Sequence, residues 1–287
     1  MTNESGNTAL DVIIPEIWQK RIVAAIYDSG KIIPRVDNVS GEVSRMGDIL
    51  HLPNFPTLTV NDVTAATGAV ANQTVTPTDA DLTVDKWKEI TMALVDKASK
   101  QAHSNIVDDF YNGAGALLRQ QMDSDLLALA TDANFSAQTA QGDGSQPLDE
   151  DALAGAIGEM MESKFAEALD ESNRATFFLH AGEWRNLKKI GAFTHANLLG
   201  SAKASADKRA LPDFYGVSTV LSTQVRVASS VRYNLLALRE SLAIAIQSNP
   251  EILELPRADL ARRFNINCLY GVVVRIDRAV LLKSRDV

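Results

Sequence analysis

The sequence predicts an α+β fold, and three observations carry that expectation. One stretch near the middle repeats apolar residues every four positions for about six turns, the mark of a long helix. Strand-like segments lie on both sides of it, with period-two patterning. After it, strands and helices alternate without the repeated strand-crossover-strand rhythm of a parallel nucleotide-binding sheet. With 287 residues, 46% of them apolar, the chain can bury a substantial core.

The elements follow in order. A polar leader, "MTNESGNTALDV", precedes "IIPEIWQKRIVAAIYDSGKIIPRV", where Pro15 suits a first helical turn and Ile17, Ile22 and Ile26 lie near one stripe. This piece is short and has no sequence neighbours to build a domain with, so it reads as an arm that packs on something else. Next comes "DILHLPNFPTLTV", alternating at Leu58 and Val60, with Pro53 and Pro56 marking an edge or a bend. A returning arm, "DLTVDKWKEITMALVDK", places Leu82, Val84, Ile90, Met92 and Leu94 on one phase.

Between these arms lies "TAATGAVANQT", with no charge and no aromatic ring. Hairpin loops ordinarily run two to five residues, and an isolated hairpin is marginal in water. The tip is therefore either a mobile surface loop or an arm laid over a neighbouring subunit. From Met46 to Asp85 there is no lysine or arginine, while Asp48, Asp62, Asp79, Asp81 and Asp85 are present. One sign of charge dominates this arm.

The central helix can be capped by Ser104 or Asn105, with Asp108 and Asp109 in its first turn, where the helix dipole favours them. Ile106, Phe110, Ala114, Leu118, Met122 and Leu126 form the stripe, followed by Leu129. Running to Thr131, it would be roughly 40 Å long. Gly113 and Gly115 each cost up to about 1 kcal/mol relative to alanine, which close packing of another backbone would explain.

A linker, "TDANFSAQTAQGDGSQP", opens a second unit. Asp149, Glu150 and Asp151 start a helix with the stripe Leu153, Ile157, Met160 and Met161. Then come a strand "ATFFLH", a short helix "AGEWRNLKKI", a loop-rich stretch, and the strands "VSTVLSTQV" and "YNLLALRESLAIAIQ". The closing "LYGVVVRIDRAVLLKSRDV" reads as one strand, with Val272, Val274, Ile276, Val280 and Leu282 on one face and Arg275, Asp277 and Lys283 on the other. Its apolar face is expected against the long helix.

Candidates for chemistry are few. His180 and Glu183 stand three apart in "HAGE", but no third ligand completes a zinc pattern, and His180 reads as a hydrogen-bonded strand end. "SADK", Ser205 to Lys208, matches the Ser-x-x-Lys nucleophile pattern without its companion motifs. Cys268, the single cysteine, precedes an apolar strand and reads as a small buried hydrophobe; no internal disulfide can form, which points to a reducing compartment. "GDGSQP" lacks the lysine and the preceding strand of a phosphate loop. The net charge of −8 argues against a general nucleic-acid grip. No apolar run reaches the eighteen or so residues of a membrane helix, and the N-terminus lacks signal-peptide regions. The sequence therefore offers no catalytic, cofactor-binding or metal site.

The order of pieces resembles the major capsid proteins of tailed bacteriophages. The resemblance is carried by "IIPEIWQKRI", "GDILHLPNF", "TVDKWKEITMALVDKASKQAHSNIVDDF", "DFYGVSTVLSTQV", "LLALRESLAIAI" and "LYGVVVRIDRAVLLKS", spread over nearly the whole chain. It implies a phage major-capsid fold with an N-arm (1–40), an extended β-hairpin loop (41–97), a spine helix and linker of the peripheral domain (98–148), an inserted axial domain (149–260) and a terminal strand of the peripheral domain (261–287). It further implies a protein that forms hexamers and pentamers of an icosahedral shell around packaged phage DNA, bound without sequence specificity, with the extended loop lying across an adjacent subunit. The site of action would be the virion capsid, assembled in the host cytoplasm. A separate scaffolding protein, a portal and a decoration protein are the expected partners, with no membrane and no cofactor. An encapsulin-type cargo shell shares this fold and is the alternative.

Some relatives weld subunits through a loop lysine; here the nearest are Lys86 and Lys88 at the loop's base. The expected inter-subunit contacts are Asp62, Gly68, Asp79, Asp81 and Trp87 on the loop side. They would meet arginine-bearing segments at Arg257, Arg262 and Arg263, together with Arg275 and Arg278, on a neighbour.

Overall fold

The computed structural model describes residues 31–43, 49–54, 77–95, 106–162, 174–189, 213–255 and 261–286. In chain order the elements are β1 (Asp37–Asn38), β2 (Ile49–Asn54), β3 (Thr78–Thr83), β4 (Lys86–Val95), α1 (Ile106–Leu127), α2 (Glu150–Met160) and β5 (Ala175–His180). There follow α3 (Trp184–Leu187), β6 (Ser218–Ser222), β7 (Val227–Ala228), β8 (Val231–Leu238), β9 (Leu242–Leu255), β10 (Ala261–Val274) and β11 (Ala279–Arg285). Mixed helix and sheet without a parallel doubly wound core is the α+β class.

Helix α1 spans 22 residues, about 33 Å at 1.5 Å per residue. It is shorter than the sequence suggests because the chain leaves it at Leu127. There Leu129 and Ala130 donate to Leu126 and Leu127 in tight turns, and the Asn134 amide donates to the Leu129 carbonyl at 2.8 Å. Ala114, Leu118, Met122 and Leu126 are buried, so the four-residue stripe is the packing face. It lies on the inner face of β10, where Phe264, Ile266, Cys268 and Tyr270 alternate inward. Tyr111 meets Phe264 edge-on, with ring centroids 6.2 Å apart. The buried Tyr270 hydroxyl donates to Asp125 at 2.6 Å.

That face belongs to a four-stranded sheet in the order β1-β9-β10-β4. The opposite face carries small residues, Ala243, Ala245 and Gly271, and over them sits the β2–β3 hairpin through Leu52 and Leu82. A Cβ on Gly271 would stand 2.3 Å from the Thr83 carbonyl oxygen, so the hairpin base crosses the sheet where the side chain is missing. The returning arm is therefore two strands. β3 pairs with β2, the chain bends at Val84 and Asp85, and β4 pairs with β10 over Lys86 to Val95. The period-two phase survives the bend, since Leu82 and Val84 are buried and Ile90 and Met92 pack on the α1 core.

A second sheet, β11-β8-β5-β6 with β7 on β8, is apolar on both faces. Phe178, Leu235 and Leu281 feed the α1 core, while Phe177, Leu236 and Leu282 face α2. In α2, Asp149 caps by accepting from the Ala152 amide at 2.9 Å, and Leu153, Ala156, Ile157 and Met160 are buried. Met161, expected on that stripe, is half exposed just past the helix end.

Two long strand readings divide in the structure. "YNLLALRESLAIAIQ" breaks at a short 3-10 turn, Arg239–Ser241, separating β8 from β9. The terminal strand breaks at 275–278, so Val272 and Val274 serve the α1 core while Val280 and Leu282 serve the α2 core. Charged pairs hold this corner: Arg275 with Asp37, and Arg278 with Glu240 at 2.8 Å. Asp277 accepts from the Ser136 and Ala137 amides. β9 and β10 pair antiparallel along most of their length, with a register shift opposite Ser248–Pro250, where a proline cannot donate to the ladder.

Candidate inter-subunit surface

The side chains singled out for chemistry have structural roles. His180 ends β5; its ring Nδ1 accepts from the Gly182 amide at 3.1 Å, and burial together with the charge of Arg232 lowers its pKa. Burial pushes the Cys268 thiol up to about 12, so thiolate is absent at neutral pH. In "GDGSQP", Asp143 accepts from the Ser145 amide and hydroxyl in a local turn, and Gly142 lies against the Lys283 carbonyl. Ser205–Lys208 lies outside the described residues. Among the described residues no group of three metal-ligating side chains gathers, and no helix is long and apolar enough to cross a membrane.

One constellation was not read from the sequence. Glu183 is fully buried and accepts from Arg232 at 2.7 Å and from the Ser284 hydroxyl at 2.8 Å. Arg232 also donates to Asp286 at 2.9 Å, and Asn234 donates to Ser284 at 3.0 Å. These residues come from α3's entry, β8 and the chain's end, so no local pattern announces them. The only signal is Glu183 sitting among apolar neighbours, which a short amphipathic helix equally allows. The network ties the end of β11 to the β5–α3 corner.

The surface candidates divide into two groups. Asp79 and Asp81 lie on β3, opposite Pro53 and His51. Asp81 already has a partner in its own chain, since His51 Nδ1 lies 2.6 Å from its carboxylate with both side chains largely exposed. Trp87, Arg262 and Arg263 lie on the β4–β10 pair, where Trp87 is opposite Leu269, Arg262 opposite Leu94, and Arg263 between Ala93 and Leu255. Asp62, Gly68 and Arg257 lie outside the described residues. Of the two remaining arginine candidates, Arg275 and Arg278 are both engaged at the corner described above.

Trp87 is 75% exposed, an unusual position for the largest apolar side chain. Beside it, a groove of about 420 Å³ runs between the edge strand β4 and helix α1, whose Leu117 is 57% exposed. Gln120, Gln121 and Gln224 supply its polar lining. A smaller cavity of about 200 Å³ lies further along α1, bounded by Arg119, Asp123 and the Ser222–Gln224 turn. Asp123 is 6% exposed, and its Oδ1 has no hydrogen-bond partner among the described residues. Burial pushes its carboxyl up to about 6, against the opposing pull of the Arg119 guanidinium.

No protein-family model matches the chain, and no curated protein does. Solved structures do. A chain from Mycobacterium phage Che8 superposes with a TM-score of 0.69 at 19% identity, covering 88% of this chain and 90% of that one. The mature capsid of bacteriophage PhiM1 gives 0.66 at 12% identity, covering 88% and 86%. The virus-like particle from Pyrococcus furiosus gives 0.54 at 10% identity, covering 93% and 98%. Matched over 88% of its length to the Che8 and PhiM1 chains, the protein has the phage major-capsid fold.

Proposed function

We propose that the chain is a structural, non-enzymatic shell protein: a major capsid protein that assembles into hexamers and pentamers of an icosahedral particle around packaged phage DNA. The observation that carries this reading is the match over 88% of this chain to the PhiM1 mature capsid and, over the same share, to a chain of phage Che8. The exposed Trp87 and Leu117 beside a groove support it, since apolar side chains of that size in the open are what an assembling surface supplies. The 46–85 segment, without a lysine or arginine, would be the extended loop laid on a neighbour, and the division into N-arm, loop, spine, axial and peripheral parts is taken with it. Without a loop lysine, subunits would be held by non-covalent burial. A scaffolding protein, a portal and a decoration protein would complete assembly in the host cytoplasm.

Negative-stain microscopy of the protein, expressed alone and with its neighbouring genes, tests this reading. Closed particles or capsomers are expected. A protein that stays monomeric at high concentration with scaffold present would overturn the proposal. Deleting Val63 to Thr76 should leave a folded subunit that no longer closes shells.

The encapsulin-type reading, a cargo compartment, is kept because of the Pyrococcus furiosus virus-like particle match. Particles that co-purify with a cargo enzyme favour it; DNA-filled particles favour the phage shell.

A further inference from the structure

We propose that the smaller cavity beside α1 is a binding site for free inorganic phosphate, held by Arg119 and Lys31 and recognised through the O–H it donates to Asp123. Such a site is independent of the shell reading.

The cavity is walled by α1, which supplies Arg119 and Asp123, and by the end of β6 with the turn after it, which supply Ser222, Thr223 and Gln224. The exposed Lys31 lies along its border. Its volume of about 200 Å³ is far above the roughly 10–15 Å³ that one water needs, so a tetrahedral oxyanion fits with waters around it. Asp123, 6% exposed, leaves Oδ1 without a hydrogen-bond partner among the described residues. Arg119 stands one helical turn before it, and its charge acts on the carboxyl. The Ser222 hydroxyl accepts from the Gln224 amide and the Thr223 hydroxyl from the Gln224 side chain, both at 3.1 Å, so each keeps its own O–H to donate.

An orphaned buried acceptor calls for a donor, while two cations call for an anion. A cationic guest would satisfy Asp123 but meet Arg119 and Lys31. An anion without a proton, such as sulfate, would set its charge against the carboxylate. Inorganic phosphate answers both demands, because it is an anion that keeps an O–H at neutral pH. That O–H donates to Asp123 Oδ1, and the remaining oxygens accept from the two cations and the two hydroxyls. A phosphate monoester, with a second pKa of about 6, has lost its O–H by pH 7.5, and a diester such as the DNA backbone has none.

Isothermal titration calorimetry on the full-length, unassembled chain at pH 7.5 and constant ionic strength compares inorganic phosphate, sulfate and dimethyl phosphate. Phosphate is expected to bind roughly tenfold or more tightly than either of the others. Asp123→Asn should bring phosphate and sulfate within about threefold of each other, because the amide can donate to sulfate. Lys31→Gln, a change at an exposed position, should weaken phosphate by about threefold. At pH 5 the wild type should lose its preference over sulfate, since Asp123, with its pKa raised to about 6, then carries a proton of its own. The other charged side chains lining the cavity, Lys31 and Arg119, stay cationic across that range. Absence of phosphate binding, equal affinity for sulfate at pH 7.5, or a preference unchanged in Asp123→Asn overturns the proposal. If Asp123→Asn does not fold, the wild-type ratio of phosphate to sulfate affinity between pH 7.5 and pH 5 decides, and a constant ratio overturns it. Neither result touches the shell reading, which particle formation tests.

Discussion

Asp123 sits in an environment that opposes its chemistry: a carboxyl on the packing side of a helix, nearly sealed, with one oxygen unpartnered among the described residues. Its native pKa of about 6 lies above the ordinary value of 3.8, so the folded chain binds its proton more tightly than the unfolded chain does. Stability from this group is complete below pH 3.8, falls as pH rises, and is lost by about pH 6. The full loss is at most about 3 kcal/mol. Asp123→Asn should flatten the thermal midpoint of the unassembled subunit between pH 4 and 7 and raise it at pH 7.5. A variant whose pH profile parallels the wild type would show that Asp123 does not titrate there. Glu183 poses the opposite case, a buried charge satisfied by Arg232, Ser284 and the Asn186 side-chain amide. Glu183→Gln removes the buried counter-charge that faces the Arg232 guanidinium, and denaturant unfolding should show a loss of about 3 kcal/mol. Replacing both, Glu183→Gln with Arg232→Met, should recover part of that loss, because no uncompensated charge remains. Neither residue was legible beforehand, since burial of a charge depends on partners far along the chain.

Single elements were legible where one periodicity governed them and illegible where two cores shared a strand. The α1 stripe was read correctly from Ala114 to Leu126 because every fourth residue meets the same β10 surface. β3 and β4, β8 and β9, and β10 and β11 each read as one strand, yet each pair divides. The alternation continues through the break while the partner sheet changes, and period-two patterning cannot register that change. The glycines make the same point. Gly113 was expected against another backbone, but a Cβ there meets nothing within 4 Å. Gly271 attracted no attention and proves to be the closest approach of hairpin and sheet. Gly113→Ala should therefore stabilise the unassembled subunit by about 0.5–1 kcal/mol through helix propensity. Gly271→Ala should destabilise it and loosen the hairpin base, seen as faster hydrogen exchange in β2 and β3. Equal effects of the two substitutions would contradict this account of the fold.

At the scale of the molecule, the proposed shell raises the question of how an acidic loop would choose its neighbour. The net charge of −8 includes the aspartates of the 46–85 segment, which has no positive charge of its own. Within the described part, Asp81 finds only His51, and that contact is largely exposed. Arg263 lies half-buried on the β4–β10 pair, and Arg262 beside it on the same strand, while Arg275 and Arg278 are engaged at the 275–278 corner. Of the arginines proposed to meet a neighbour's loop, Arg262 and Arg263 lie on β10, and Arg257 lies outside the described residues. Exposed pairs of this kind are worth at most about 1 kcal/mol each, so they cannot hold a shell together singly. Repeated at every copy of an interface, they would select register and partner, leaving bulk adhesion to exposed apolar side chains such as Trp87 and Leu117. Screening shortens their reach to about 3 Å at 1 M salt. Capsomer assembly followed by light scattering should therefore slow as salt rises, with Arg262→Glu and Arg263→Glu abolishing most of that dependence. Asp79→Lys should impair assembly while leaving the subunit's unfolding midpoint unchanged. Asp81→Lys should impair assembly and also lower that midpoint slightly, since it removes the His51 contact. Assembly indifferent to salt and to Asp79→Lys would reduce the loop's acidity to solubility, and recognition would then rest on the apolar groove alone.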